Sequence, residues 1–306
     1  MPRISLIRTL AAAVGVAAVL QVASNGAPQW VETAPALAAS ASPADSPHGA
    51  SLAMERSYAV AARTPKPRPS DESTPAPASV LKAIRSVPAA TLNLVGPGAL
   101  AAGIEIERLS GKAVKRGTKA VLFSDDEAWC PDCEANSWAL AITLSRFGKL
   151  SGVRVINSGT YYGVVLHHNP SYPNTQGLSF IDAHYKSKYL IFAAVVRSDR
   201  QDRSIEQLTP AETQAVGSFD PRHIVPVVDL GGAYATLGAL FSPALLAGLS
   251  SAAIAGELAN PTSALAPYID AEANLLTAGL CVATGGRPAA VCSAPGVRAS
   301  APRLPH

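Results

Sequence analysis

Charge is scarce in this sequence: Asp, Glu, Lys and Arg make up 15% of 306 residues, against 48% hydrophobic residues. The Lys and Arg residues are scattered, and the net charge is only +3. A nucleic-acid surface needs clustered cations to neutralise phosphates, so no nucleic-acid partner is expected. Cysteine is limited to four residues, at 130, 133, 281 and 292. With no second Cys-x-x-Cys and no His near either pair, the spacing of a structural zinc site is missing. His167-His168 has no third ligand, and adjacent residues on a strand point to opposite faces. The Gly-x-Ser-x-Gly elbow of α/β-hydrolases is absent. Gly96-Pro97-Gly98 does not extend to a dinucleotide motif, because position 101 is Ala and the strand-turn-helix context is missing. No metal and no cofactor are expected, and the chain has no internal repeat.

What is present begins with an address. Arg3 and Arg8 flank the start of an uncharged run, Thr9 to Ala23, rich in Ala, Val and Leu. Small residues follow at Val22-Ala23-Ser24 and Ala36-Leu37-Ala38. This is the layout of a secretory signal peptide. An uncleaved anchor is the alternative, although the run is shorter than the about 20 residues of a spanning helix. Residues 1–38 are therefore expected as a signal peptide or anchor. Residues 39–78, dominated by Pro, Ala and Ser, are expected as a linker with too few large apolar groups to order itself. The expected location is extracytoplasmic, secreted or in the cell envelope, with membrane contact only through an uncleaved anchor.

A folded region is expected over 79–296, with a disordered tail over 297–306. Val80 to Val87 reads as a helix. Lys119 to Phe123 reads as a buried strand, Glu134 to Phe147 as a helix ended by a left-handed Gly148, and Val153 to Ile156 as the next strand. That order suggests a βαβ unit with a parallel pair. Leu178 to Ile181 and Tyr189 to Val196 are further strand candidates. Thr209-Pro210 with Glu212 is a capping box opening a helix that Gly217 ends. Ile224 to Leu230 is strand-like but broken by Pro226, which is unusual within a ladder. Leu230 to Gly256 carries no charge, but its glycines and Pro243 favour a buried helical hairpin, continued by Ala264 to Leu280, over a membrane span.

The chemistry gathers at Cys130-Pro131-Asp132-Cys133. Two cysteines at a helix start can join without moving the backbone. The helix dipole and free N–H groups favour a thiolate on the first. Pro131 suits the first helical position. Trp129-Cys130-Pro131-Asp132-Cys133 resembles a thioredoxin-superfamily active site. Trp138-Ala139-Leu140, Leu144 to Gly148, Tyr172 to Thr175, and Val225-Pro226 with Asp229 resemble an exported family catalogued as domain of unknown function 929, from about Ser79 to Gly296.

The resemblance implies an α/β fold, a thioredoxin-like sheet with a helical addition near the C-terminus. It implies a cis-proline at Pro226 beside the dithiol. Cys130 would be the attacking sulfur and Cys133 the resolving one. Val225 and Pro226 would hold the substrate strand, and Trp129 would form an apolar lip. The implied function is thiol–disulfide exchange on exported proteins bearing thiols or disulfides, with an unidentified redox partner. Two departures stand out. The buried acid that many thioredoxins carry six residues before the first Cys is Ser124 here, with Asp125, Asp126 and Glu127 nearer. Asp132 replaces the family's usual aromatic and disfavours a thiolate beside it, so a raised Cys130 pKa is expected. The alternative is a static disulfide on a non-catalytic protein-binding module. Cys281 and Cys292 enclose a turn-rich stretch and read as a structural disulfide, or alternatively as a relay pair.

Overall fold

A computed structural model describes residues 70–100, 105–109, 113–159 and 174–306. The expected signal segment, the linker up to residue 69, His167-His168 and Tyr172-Pro173 lie outside these residues. In chain order the elements are β1 (Thr74–Pro75), α1 (Ala78–Arg85), α2 (Ala89–Val95), β2 (Ile106–Arg108), β3 (Lys115–Arg116), β4 (Lys119–Asp126) and α3 (Pro131–Phe147). Then come β5 (Gly148–Ser151), β6 (Arg154–Asn157), β7 (Gln176–Ser179), β8 (His184–Ser187), β9 (Leu190–Val196) and α4 (Pro210–Gly217). The rest is β10 (Val227–Leu230), β11 (Tyr234–Leu237), α5 (Ser251–Glu257), α6 (Ala266–Ala283), α7 (Ala289–Cys292) and α8 (Pro295–Ser300). The fold is α/β.

The main sheet is organised around β4, buried from Ala120 onward. One edge of β4 pairs in parallel with β9, from Ala120↔Leu190 to Asp126↔Val196. The other pairs antiparallel with β10, Val227 opposite Asp125 and Leu230 opposite Leu122. β11 and β2 continue the sheet beyond β10. The parallel partner of β4 is therefore Leu190–Val196, not the segment after the helix. Residues 154–157 instead join β1 and β7 in a separate three-stranded sheet. Alternation of side chains marks a strand but does not name its partner.

Helix α3 runs from the C-terminal end of β4 into the core. Thirteen of its seventeen residues are buried, because strands, α1 and α6 cover it. The helix is thus buried nearly all round and not along a single apolar stripe. Trp138 Nε1 donates to Gln176 O at 2.9 Å, and Thr143 Oγ1 donates to Ala273 O of α6 at 3.2 Å. Gly148 ends the helix in an extended conformation (φ −175°), not a left-handed one. Its glycine is needed for close approach, since a Cβ there would lie 2.8 Å from Ser187 Cβ and 3.0 Å from the Tyr185 ring.

Three other expectations change. The uncharged stretch after Leu230 is only partly helical: β11, a short 3-10 turn at Pro243–Leu246 and α5 precede the long α6. Among the described residues no helix is long and apolar enough to cross a membrane. Order begins before Ser79, since Asp71 is buried and Thr74–Pro75 pairs with Val155 and Arg154. The expected tail at 297–306 is also ordered. It holds most of α8 and a 3-10 turn, buries Leu304, and donates from Arg303 Nη2 to Leu100 O at 3.0 Å.

Candidate functional site

The dithiol sits where β4 delivers the chain to the start of α3. Cys130 is the N-cap residue (φ −83°, ψ 116°) and Pro131 the first helical residue. The Cys133 backbone N–H donates to Cys130 Sγ at 3.1 Å, so a sulfur occupies the place a Ser or Asp oxygen takes in ordinary capping. The Sγ atom of Cys130 also lies 3.8 Å from the carbonyl oxygen of Val225. The Val225–Pro226 peptide bond is cis. Pro226 lies just outside β10, immediately before Val227, so it costs the ladder no hydrogen bond. Its own carbonyl accepts from Gly238 N at 2.8 Å. The register of β10 on β4 thus carries residues 225–226, distant in sequence, to the dithiol.

Both cysteines are free thiols and both are buried, at 4% and 1% exposure for Cys130 and Cys133. Burial pushes both thiol pKa values up, Cys133 well above its ordinary value. For Cys130 burial is the largest cause. The Cys133 thiol and backbone N–H pull in the other direction, and Asp132 raises it further. For Cys133 the neighbouring Cys130 adds to the rise. The first sulfur is therefore the easier of the two to ionise. Asp132 acts as expected in sign, but burial outweighs it.

Behind the sulfurs lies an acid that the count from Cys130 missed. Ser124 is buried, and Asp126, two residues along β4 and so on the same face, is 8% exposed. Burial raises its carboxyl to about 6, opposed first by a hydrogen bond with the Cys133 side chain. Asp125 and Glu127 are engaged elsewhere, pairing with Arg197 at 2.8 and 3.1 Å. Two-residue alternation along the strand was the signal that singles out Asp126. A second acid, Glu134, is 3% exposed. Its Oε2 has no hydrogen-bond partner, and burial raises its pKa well above the ordinary range, with Asp126 and Cys130 adding.

Trp129 is half-buried beside the dithiol, and its carbonyl accepts from Gly159 N at 3.1 Å. Val225 is half-buried and Pro226 buried. Cys281 and Cys292 are joined as a disulfide linking α6 to α7. Among the described residues, no cluster of three or more His, Cys, Asp or Glu is arranged to hold a metal.

Residues 109–221 match a family model described as Domain of unknown function (DUF929). The stretch contains the dithiol, α3 and the parallel strand pair, and stops before Val225. No curated protein and no solved structure matches the chain.

Proposed function

We propose that the chain is an extracytoplasmic thiol–disulfide oxidoreductase on a thioredoxin-like domain, acting on exported proteins through Cys130 and Cys133. The observation that carries this reading is the seat of the Cys130 sulfur. It caps a seventeen-residue helix, 3.1 Å from a backbone N–H and 3.8 Å from the carbonyl before a cis-proline. The parallel strands β4 and β9, joined through α3, and the antiparallel β10–β11 pair led by Pro226 support the same reading of the fold.

In the reducing direction, the Cys130 thiolate attacks one sulfur of a substrate disulfide. That S–S bond breaks, and the departing thiolate takes a proton from water. Cys133 then gives its proton to the Asp126 carboxylate and attacks the Cys130 sulfur of the mixed disulfide. The substrate leaves as a second thiolate, which takes the proton held by Asp126, and a Cys130–Cys133 disulfide closes. An exported dithiol partner restores the reduced pair; run backwards, the same steps oxidise a substrate. Val225 and Pro226 would receive an extended substrate segment, with Trp129 as an apolar lip. Exchange requires a thiolate; the helix N-terminus and the Cys133 N–H favour one on Cys130, while Asp126 offers a carboxylate to accept the Cys133 proton.

Insulin reduction tests the proposal. The wild-type chain is expected to be active and Cys130→Ser inactive, while Cys133→Ala accumulates mixed disulfides through Cys130. The raised Cys130 pKa calls for a mildly reducing pair. A potential near the about −120 mV of the strongest bacterial oxidant would overturn that part. Near-complete burial of both sulfurs favours a second reading, a non-catalytic protein-binding module. Inactivity of wild type and variant alike, with no trapped species, would support it.

A further inference from the structure

The opposite end of α3 carries a second polar construction that the redox reading does not use. Arg146 lies in the last helical turn, about 24 Å along the axis from Cys130 at 1.5 Å per residue. Its guanidinium is drawn into the protein. Nη1 donates to Asn274 Oδ1 at 2.9 Å and to Thr277 Oγ1 at 3.2 Å on α6. Both acceptors are fixed in turn. The Asn274 amide donates to Leu92 O and Gly96 O at the end of α2, at 2.8 and 2.9 Å. Thr277 Oγ1 donates to Ala273 O at 2.6 Å. Asn274 and Thr277 are fully buried.

These acceptors are neutral, and among the described residues no carboxylate lies within ion-pair distance of Arg146. Asp270 acts on it electrostatically from further away. The Asp270 oxygens have no hydrogen-bond partner, and burial raises its carboxyl to about 8 against the opposing pull of Arg146. A largely buried cation whose hydrogen-bond acceptors are all neutral gains from a directly bound anion.

Arg146 borders a cavity of about 210 Å³ between α1, α2, α3 and α7. Its walls include Leu92, Ile142 and Val291, and Arg85 is a second cation on its lining. Arg85 is steadied by donation from Nη2 to Leu150 O at 2.6 Å. No Asp or Glu lines the cavity. The geometry points to a binding site for a small organic monocarboxylate with a short apolar tail, its carboxylate on Arg146 and its tail between α2 and α7. A cationic side chain with neutral partners beside apolar walls matches a carboxylate head and a hydrocarbon body in charge and polarity. The volume is below the about 300–1,000 Å³ of pockets for drug-sized ligands, which limits the tail to a short one.

Titration calorimetry on the 306-residue chain, with hexanoate at pH 7 and low salt, tests the site. Hexanoate is expected to bind, with 1-hexanol and hexylammonium at least tenfold weaker. Arg146→Gln is expected to weaken hexanoate at least tenfold. Ala290→Phe, on the exposed rim, is expected to abolish binding by filling the cavity while leaving Arg146 in place. If Arg146→Gln does not fold, the ligand comparison and Ala290→Phe decide alone. No hexanoate binding at 10 mM, hexanol binding as tightly as hexanoate, or unchanged affinity in Ala290→Phe would each overturn the assignment.

Discussion

Replacing Asp126 by Asn should change how the stability of the reduced protein depends on pH. The folded-state carboxyl of Asp126 titrates at about 6, against an ordinary value of 3.8. Burial is the main cause, and the hydrogen bond with Cys133 works against it. Between these values the folded protein keeps a proton that the unfolded chain has released. Stability from this group is therefore fully present below about pH 3.8 and is lost as pH rises through about 6. A difference of just over two pKa units, at about 1.4 kcal/mol per unit, corresponds to about 3 kcal/mol. Asn does not titrate, so wild-type stability relative to Asp126→Asn should fall by roughly that amount between pH 3.5 and 7. The assay is urea denaturation with the dithiol kept reduced. Asp125 and Glu134 titrate in both proteins; loss of the Asp126 charge also eases their raised carboxyls, which adds to the difference in the same pH range. In Cys133→Ala, loss of the hydrogen bond should move the Asp126 titration to higher pH. A wild-type-minus-variant difference that stays flat across the range would refute the placement of a buried, titrating acid behind Cys133.

Three further outcomes are expected. Changing Cys281 and Cys292 together to Ala opens a loop with a sequence separation of 11 and should cost about 3 kcal/mol in urea denaturation. Gly177→Ala should cost about 2 kcal/mol or more, because a Cβ there meets Glu134 Cβ at 2.5 Å and Cα at 2.6 Å. Thermal denaturation of the folded variant against wild type checks this. Thr209→Ala removes one half of a capping box in which Glu212 N donates to Thr209 Oγ1 and Thr209 N donates to the Glu212 carboxylate. About 1 kcal/mol should be lost, measured by urea denaturation, with Thr209→Ser restoring most of it.

Local chemistry was legible in the sequence, and long-range pairing was not. The helix at Thr209–Pro210–Glu212 could be read because its cap, its proline and its reciprocal acid lie within four residues. The dithiol at a helix start could be read for the same reason. The partner of β4 could not, because Val153 to Ile156 and Leu190 to Val196 both look like strands and periodicity carries no address. The proximity of residues 225–226 to Cys130 followed from resemblance and not from spacing. Asp126 was named with Asp125 and Glu127 as a nearer acid, but counting back from the cysteine could not choose among the three, whereas alternation along the strand does. Gly148 was assigned a left-handed turn because that is the common use of glycine after a helix. Here the neighbouring strand β8 presses on it instead.

The end of the described fold is stitched to its beginning. Asn274 holds the carbonyls of Leu92 and Gly96, Gly296 N donates to Asn93 Oδ1, and Arg303 holds Pro97 O and Leu100 O. A chain made from its N-terminus thus emerges with α2 lacking the side chains that complete it, for roughly the next 180 residues. The dithiol, strand β4 and helix α3 appear well before α6, which covers one side of that helix. Until then the two cysteines stand in an unfinished core, less covered than the 4% and 1% exposure they have in the completed fold.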